Sequence, residues 1–214
     1  MSDRKKPDET TAWFDPLYQK AEGDAEHIPW ARMKPHPEFS DWIRLHPAES
    51  RARGKGQRAL VVGCGLGDDA EELVRLGFDV TAFDISQTAI GWCRQRFPES
   101  KVDYQVADLF APPPDWLAGF DFVLEIYTIQ ALPLRVRPDA IRAIMDFVVP
   151  GGTLLAVCHG RPHRIRDPEG PPWPVSHEEL NLFKDYGLSE LSFEENHSTG
   201  SVTPTYYRAL YRRP

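Results

Sequence analysis

Short, largely apolar runs alternate with amphipathic stretches along the chain from residue 58 onward. Runs of this length bounded by glycine or polar residues are typical of strands buried on both faces of a parallel sheet. They predict seven strands, over RALVVG (58–63), DVTAFDI (79–85), VDYQVAD (102–108), FDFVLEI (120–126), TLLAVCH (153–159), LSFEEN (191–196) and TPTYYRALYRR (203–213).

The stretches between most of these strands have helical periodicity and helix-start signals. Ser86 is placed to cap one helix, and Ser176 with Glu179 forms a capping box for another. Strand–helix alternation predicts a doubly wound α/β, Rossmann-like sheet of seven mostly parallel strands. The last strand is expected to be antiparallel, because no helix separates the final two. Helices are predicted over 68–77, 86–97, about 136–148 and 176–186.

The segment before the first strand is unlike the rest of the chain. Residues 1–10 are polar and predict a disordered tail. Residues 11–49 combine many aromatic residues with prolines, which predicts short helices that form an arm or flap over the active site. Residues 50–214, which begin with a linker over 50–57, form the single main domain. The proline-rich excursion over 160–174 is a candidate lid.

Composition narrows the range of partners. The 214 residues include 25 basic and 32 acidic side chains, giving a net charge of −7, which disfavours DNA and anionic membranes as partners. The chain has no apolar run of about 20 residues and no secretory signal at its start. The three cysteines are widely spaced and the sequence has no H-E-x-x-H motif. We therefore expect no disulfides and no metal site. We expect a cytoplasmic monomer.

The turn after the first strand is rich in glycine. Gly63, Cys64 and Gly65 precede Gly67, so the backbone can adopt positive φ and a ligand can approach it closely. The spacing is G-x-G-x-G, whereas dinucleotide sites have G-x-G-x-x-G, and two acids follow at the helix start. Acids at a helix N-terminus repel a pyrophosphate. An NAD-dependent oxidoreductase is therefore disfavoured, and a positively charged ligand is favoured.

Two acids end the second and third predicted strands. Asp84, followed by Ile85, can accept hydrogen bonds from ribose hydroxyls. Asp108 can hold an adenine amino group while Leu109 and Phe110 flank the ring. Each acid alone has an ordinary structural explanation, as an N-cap or a surface residue. Together with the glycine turn they predict a site for an adenosine with a cationic tail.

These motifs resemble a known enzyme family. VVGCGLGDDAEEL, AFDIS, ADLF, FDFVLE and VPGGTLL, in this order, are similar to the motifs of class I AdoMet-dependent methyltransferases. WFDPLY, IPW, E-x-x-x-x-Q-A-L and GPPWPVSHEEL extend the resemblance to the thiopurine, thiol and halide methyltransferase group. Val61 and Glu125-Ile126 depart from the patterns common in these enzymes, and the second departure leaves the substrate open. The resemblance implies that Trp13, Trp30, Gly63, Gly65, Asp84, Asp108 and Glu125 line a site for S-adenosylmethionine.

The resemblance also implies a methyl transfer that leaves S-adenosylhomocysteine. A thiolate or another soft small-molecule acceptor fits such a reaction, because free thiols are partly ionised near neutral pH. Tyr127 and Glu125 are candidates to orient the acceptor, and His159 is a candidate base; a structural role is the alternative for Glu125 and His159. An oxygen, nitrogen, halide, selenium or tellurium acceptor stays open, as does a sensor that binds AdoMet without turnover.

Overall fold

The structure is a computed structural model that describes residues 10–47, 56–161, 171–197 and 205–214. Three predicted segments lie wholly or partly outside the described residues. These are residues 1–9 of the predicted tail, most of the predicted linker, and residues 162–170 of the predicted excursion. Thr10, the last residue of the predicted tail, is described and buried. No helix in the described ranges is long and apolar enough to cross a membrane.

The strands are β1 (Arg58–Val62), β2 (Asp79–Asp84), β3 (Asp103–Val106), β4 (Phe120–Ile126), β5 (Val148–Arg161), β6 (Val175–Ser176), β7 (Ser189–His197) and β8 (Thr205–Arg212). They form one sheet whose main path has the order β3-β2-β1-β4-β5-β8-β7. β8 runs antiparallel to both of its neighbours, and the other pairs are parallel, which confirms the predicted sheet. A two-residue strand, β6, was not predicted and pairs with the end of β5.

Helices cover both faces of the sheet, because successive strand residues point to opposite sides. The helices are α1 (Phe14–Lys20), α2 (Pro37–Leu45), α3 (Asp68–Arg75), α4 (Gln87–Arg96), α5 (Arg137–Asp146) and α6 (His177–Asp185). Leu60 and Val62 pack in one apolar cluster with α5 and α6, whereas Ala59 and Val61 pack in another with α2, α3 and α4.

The predicted caps are confirmed. The Ala89 amide donates to Ser86 Oγ at the start of α4 (3.0 Å), and the capping box between Ser176 and Glu179 opens α6. The helix predicted over 136–148 ends earlier, at Asp146, and β5 begins at Val148 instead of residue 153. The prediction was wrong here because Val148 pairs with Phe120 across a register shift, so the strand continues through the proline-glycine turn.

Short polar contacts attach the N-terminal arm to the main domain. Asp15 Oδ1 accepts hydrogen bonds from Ser86 Oγ (2.6 Å) and from the amide of Thr88 (2.9 Å), at the N-terminus of α4. The His36 amide donates to Asp69 Oδ1 (2.7 Å) at the start of α3. These contacts hold the arm at the carboxyl edge of the sheet, where α/β proteins bind ligands.

Candidate active site

A cavity of about 330 Å³ lies between the arm and the carboxyl ends of the first parallel strands. This volume is within the range of small-molecule sites. Ten of the residues predicted from the sequence line it, which are Trp13, Trp30, Gly63, Asp84, Ile85, Asp108, Leu109, Phe110, Tyr127 and His159. Cys64 and Gly65 instead line an adjoining pocket of about 70 Å³, and Glu125 lines neither space.

The glycine turn presents bare backbone to the ligand space. Gly63, Gly65 and Gly67 have φ values of +60°, +54° and +87°. A Cβ on Gly63 would lie 2.4 Å from Thr128 Oγ1, and one on Gly65 would lie 3.3 Å from the hydroxyl of Tyr18. Glycine is therefore required by conformation and by close packing.

Asp84 joins the glycine turn to the end of β2. Its Oδ2 accepts the Gly65 N–H (3.0 Å) and its Oδ1 accepts the Ser86 N–H (2.9 Å). Burial raises the pKa of Asp84 to about 6, although the two amides oppose that rise. Each carboxylate oxygen has a second lone pair, so this cavity-lining carboxyl can also accept ligand hydroxyls.

The end of β3 forms a flatter part of the wall. Asp108 Oδ1 accepts the Phe110 amide (2.9 Å), which fixes the turn. Leu109 is buried, while the Phe110 ring is partly exposed beside Ile85 in the cavity lining. An acid flanked by apolar side chains suits a planar ring that carries an amino group.

The two acids after the glycine turn are engaged with the protein. Asp68 forms a bidentate pair with Arg96 (2.8 and 2.9 Å), and Asp69 accepts the His36 amide. Burial raises the pKa of Asp69 to about 7. The sequence argument that these acids select a positively charged ligand therefore loses part of its force, because their charge is offset internally.

Glu125 is fully buried behind the cavity. Its Oε1 accepts the amides of Thr128 (2.7 Å) and Ile129 (3.0 Å), while Oε2 has no hydrogen-bond partner among the described residues. Burial raises the pKa of Glu125 to about 7, against the opposing effect of the two amides. The structure does not bring this residue to the cavity wall, and its contacts are those of a carboxyl that caps a 3₁₀ turn.

A group of four rings lies beyond β4, and two of them, Tyr127 and His159, line the cavity. Tyr127 stacks on His159 with ring centroids 4.8 Å apart, and His159 lies 4.8 Å from Tyr206. His36 meets the edge of Tyr127 at 4.8 Å. The non-glycine residue Tyr127 has φ +68°, a conformation typical of strained functional sites. We call Tyr127, His159, Tyr206 and His36 the ring cluster.

Both histidines of the ring cluster are uncharged at neutral pH. Burial lowers the pKa of His36 to about 3, and the nearby charge of Arg32 adds to this effect. Burial, followed by the charge of Arg32, also lowers the pKa of His159. The His159 backbone amide donates to Gln130 Oε1 (2.5 Å), which holds this end of β5 at the cavity.

The arm supplies an aromatic wall and a cation. The Trp30 indole N–H donates to the Tyr18 hydroxyl (2.8 Å), and Trp13 meets Trp30 edge-on at 6.0 Å. Arg32 lines both the main cavity and the adjoining pocket. Sequence reasoning missed Arg32, His36 and Tyr206. The register pairs His159 with Tyr206, but the sequence does not reveal that register.

The fold and the cavity together define a Rossmann-like α/β protein with a ligand site at the strand carboxyl ends. Residues 59–152 match a family described as a methyltransferase domain. The matched segment runs from β1 into β5 and covers less than half of the chain.

Relatives of this chain are methyltransferases of different kinds. A ubiquinone biosynthesis O-methyltransferase of Xanthomonas axonopodis pv. citri (strain 306) is 34% identical over 116 residues, which are 53% of this chain and 47% of that protein. A probable thiol methyltransferase 2 of Arabidopsis thaliana is 29% identical over 178 residues, 81% of this chain and 74% of that protein. The chain thus spans about half the length of the O-methyltransferases that it matches.

A solved structure supports the fold. The N-methyltransferase NodS from Bradyrhizobium japonicum WM9, in complex with S-adenosyl-L-homocysteine, superposes with a TM-score of 0.70 at 20% identity. The superposition covers 94% of this chain and 100% of NodS. The fold shared with that structure therefore extends over nearly the whole chain.

Proposed function

We propose that the protein is an AdoMet-dependent methyltransferase that acts on a small molecule with a thiol or a similar soft nucleophile. One observation carries this proposal: a single cavity is lined by Gly63 of the glycine turn, by Asp84 and Asp108, and by Tyr127 and His159 of the ring cluster. A nucleoside can bind at the glycine and the two acids, and a second small reactant has room beside Tyr127 and His159.

The residues present fit S-adenosylmethionine. Asp84 would hold the ribose hydroxyls, and Asp108 with Leu109 and Phe110 would hold the adenine. Gly63 presents bare backbone in the cavity lining, and the remainder of the cofactor would pass it toward Tyr127. When bound, the cofactor supplies an electrophilic methyl group on a positively charged sulfur.

The chain's own groups would position the reactants and exclude water. The faces of Trp13 and Trp30 offer the negative π surface that attracts a cation. Tyr127 would contact the acceptor, and the uncharged His159 can accept a proton from it. A thiol ionises readily, so it places a small demand on a histidine whose pKa is lowered.

An oxygen acceptor is the second candidate. It is supported by the similarity to O-methyltransferases, although that similarity covers only 53% of the chain. A phenol is less acidic than a thiol, so an oxygen acceptor would depend more strongly on His159 as a base. The similarity to the probable thiol methyltransferase covers 81% of the chain, which favours the sulfur acceptor.

A product screen tests the proposal. Purified protein is incubated with S-adenosylmethionine and either thiophenol, 2-mercaptoethanol or catechol, and the products are identified by mass spectrometry. We expect methylated thiols with an equal amount of S-adenosylhomocysteine, and a His159→Gln variant that retains most of this activity. Methylation of catechol alone would overturn the sulfur acceptor. Cofactor binding without S-adenosylhomocysteine formation from any acceptor would indicate a sensor and overturn the enzymatic proposal.

A further inference from the structure

Arg32 brings a positive charge to the acceptor end of the cavity. It follows the aromatic wall of the arm, and it lines the main cavity together with Tyr127 and His159. Its charge lowers the pKa values of His36 and His159 after the larger effect of burial, and it opposes the burial that raises the pKa of Tyr127. The guanidinium therefore lies close to three members of the ring cluster.

This charge has no counter-ion in the described part of the protein. No ion pair joins Arg32 to a described residue, and its side chain is within hydrogen-bonding reach of Tyr127. Asp69 is close enough for the charge of Arg32 to oppose the rise in its pKa, but its Oδ1 accepts the His36 amide instead. Since both histidines are neutral, Arg32 is the cation that an anionic ligand would meet among the described residues at this end.

The position of Arg32 assigns it to the acceptor and not to the nucleoside. Asp84 is the last residue of β2 and Asp108 lies shortly after β3, on one side of β1, whereas Tyr127 follows β4 and His159 lies in β5, on the other side. Arg32 lines the main cavity together with Tyr127 and His159, and it also lines the adjoining pocket at the glycine turn. A guanidinium recognises a carboxylate through two parallel hydrogen bonds, which gives both attraction and orientation.

We propose that Arg32 binds a carboxylate group of the acceptor, so that the substrate class is a small thiol acid. This inference rests on the proposed function and narrows it. The carboxylate would sit at the guanidinium by the cavity mouth, and the thiol would then lie beside Tyr127 and His159. Arg32 would act as a specificity-determining residue, because its contact is absent for a neutral thiol of the same size.

Two nearly isosteric thiols test this inference, mercaptoacetate and mercaptoacetamide, which differ in the charge of one group. We expect kcat/KM, corrected for the thiolate fraction, to be at least about tenfold higher for mercaptoacetate, the size expected of a charge-assisted hydrogen bond. Arg32→Met should remove this preference by raising KM for mercaptoacetate alone. Arg32→Lys, which retains the charge without the planar fork, should keep part of the preference.

The control is Arg44→Met, which removes an exposed cation of α2 outside the cavity. The ratio of kcat/KM for mercaptoacetate to that for mercaptoacetamide should be the same in Arg44→Met as in the wild type. Calorimetry supplies a readout without turnover: mercaptoacetate is titrated into protein saturated with S-adenosylhomocysteine, and its Kd should rise at least about tenfold in Arg32→Met. The Kd of S-adenosylhomocysteine itself should change less than about threefold in Arg32→Met. If Arg32 had a merely structural role, its loss would weaken the binding of both ligands.

Several results would overturn the inference. Equal kcat/KM values for the two thiols, or a preference that survives in Arg32→Met, would show that Arg32 does not bind the acceptor. A weaker Kd for S-adenosylhomocysteine with unchanged mercaptoacetate binding would assign the cation to the cofactor. Methylation of neutral thiols in either case leaves the proposed function standing. Failure to methylate any thiol would refute that function, while the mercaptoacetate titration would still decide whether Arg32 binds a carboxylate.

Discussion

Replacing Glu125 with glutamine separates a structural role of this residue from a catalytic one. The pKa of Glu125 rises from an ordinary value of 4.5 to about 7 in the folded protein, mainly because the group is buried. Between these two pH values the folded state holds a proton that the unfolded state has released. The free energy of unfolding therefore falls as pH rises through this window, and the loss is complete above pH 7.

The size of the effect follows from the pKa difference. At about 1.4 kcal/mol for each pH unit, ionisation of Glu125 costs on the order of 3 kcal/mol of stability above pH 7. Glu125→Gln cannot ionise, so its stability relative to the wild type should increase by about 2–3 kcal/mol between pH 5 and pH 8. The change across pH is the diagnostic quantity. Replacing a carboxyl oxygen of Glu125 with an amide nitrogen at the position of the unpartnered Oε2 has an effect that does not depend on pH. This constant effect cancels from the change across pH.

Urea unfolding followed by tryptophan fluorescence at several pH values measures this difference. Asp79→Asn, which alters an exposed carboxylate at the start of β2, should give a profile parallel to the wild type. The Kd for S-adenosylhomocysteine should be unchanged in Glu125→Gln, because Glu125 does not line the cavity. Parallel stability profiles for Glu125→Gln and wild type, together with a large loss of turnover, would refute the structural role and restore the catalytic one.

Three further substitutions examine the cofactor site and the arm. Asp84→Ala should raise the Kd for S-adenosylhomocysteine at least about tenfold in calorimetry, since hydrogen bonds to charged groups contribute about 1.5–3 kcal/mol; Asp79→Ala is the control, and equal affinities would contradict the ribose assignment. Gly63→Ala should lower the free energy of unfolding in urea by about 1–3 kcal/mol more than Gly23→Ala. Both glycines have positive φ, but only a Cβ on Gly63 would collide with Thr128. An equal loss in the two variants would mean that Thr128 moves freely. Asp15→Ala should cost about 1 kcal/mol, the value of a helix cap, measured as a lower Tm, and an unchanged Tm would argue against the docking of the arm on α4.

The parallel core could be predicted because its information is local. Strands such as β1 are apolar on both faces, and Ser86 and Ser176 lie where helix starts need an oxygen acceptor. The site acids could be predicted for a related reason. Asp84 ends β2 and Asp108 lies shortly after β3, and parallel strands bring their carboxyl ends to one edge.

The parts that were not predicted depend on contacts between distant segments. The early start of β5 is determined by the pairing of Val148 with Phe120 and by the antiparallel partner β8. A proline-glycine pair normally indicates a turn, and here the sheet pairing overrides that local preference. Glu125 is a second case of this kind. The family resemblance placed it beside a ligand, whereas its carboxyl accepts two backbone amides in the next turn.

The proposed acceptor end of the cavity is built from segments that are far apart in sequence. This explains why Arg32, His36 and Tyr206 were not predicted. Arg32 and His36 come from the arm, while Tyr127, His159 and Tyr206 follow or belong to three different strands. The arm is held there by single contacts such as the one from His36 to Asp69. The proposed nucleoside wall, by contrast, is formed by the ends of adjacent strands. Changes in the arm can therefore alter which acceptor is selected while Asp84 and the glycine turn stay in place, so acceptor choice and cofactor binding should respond separately to mutation.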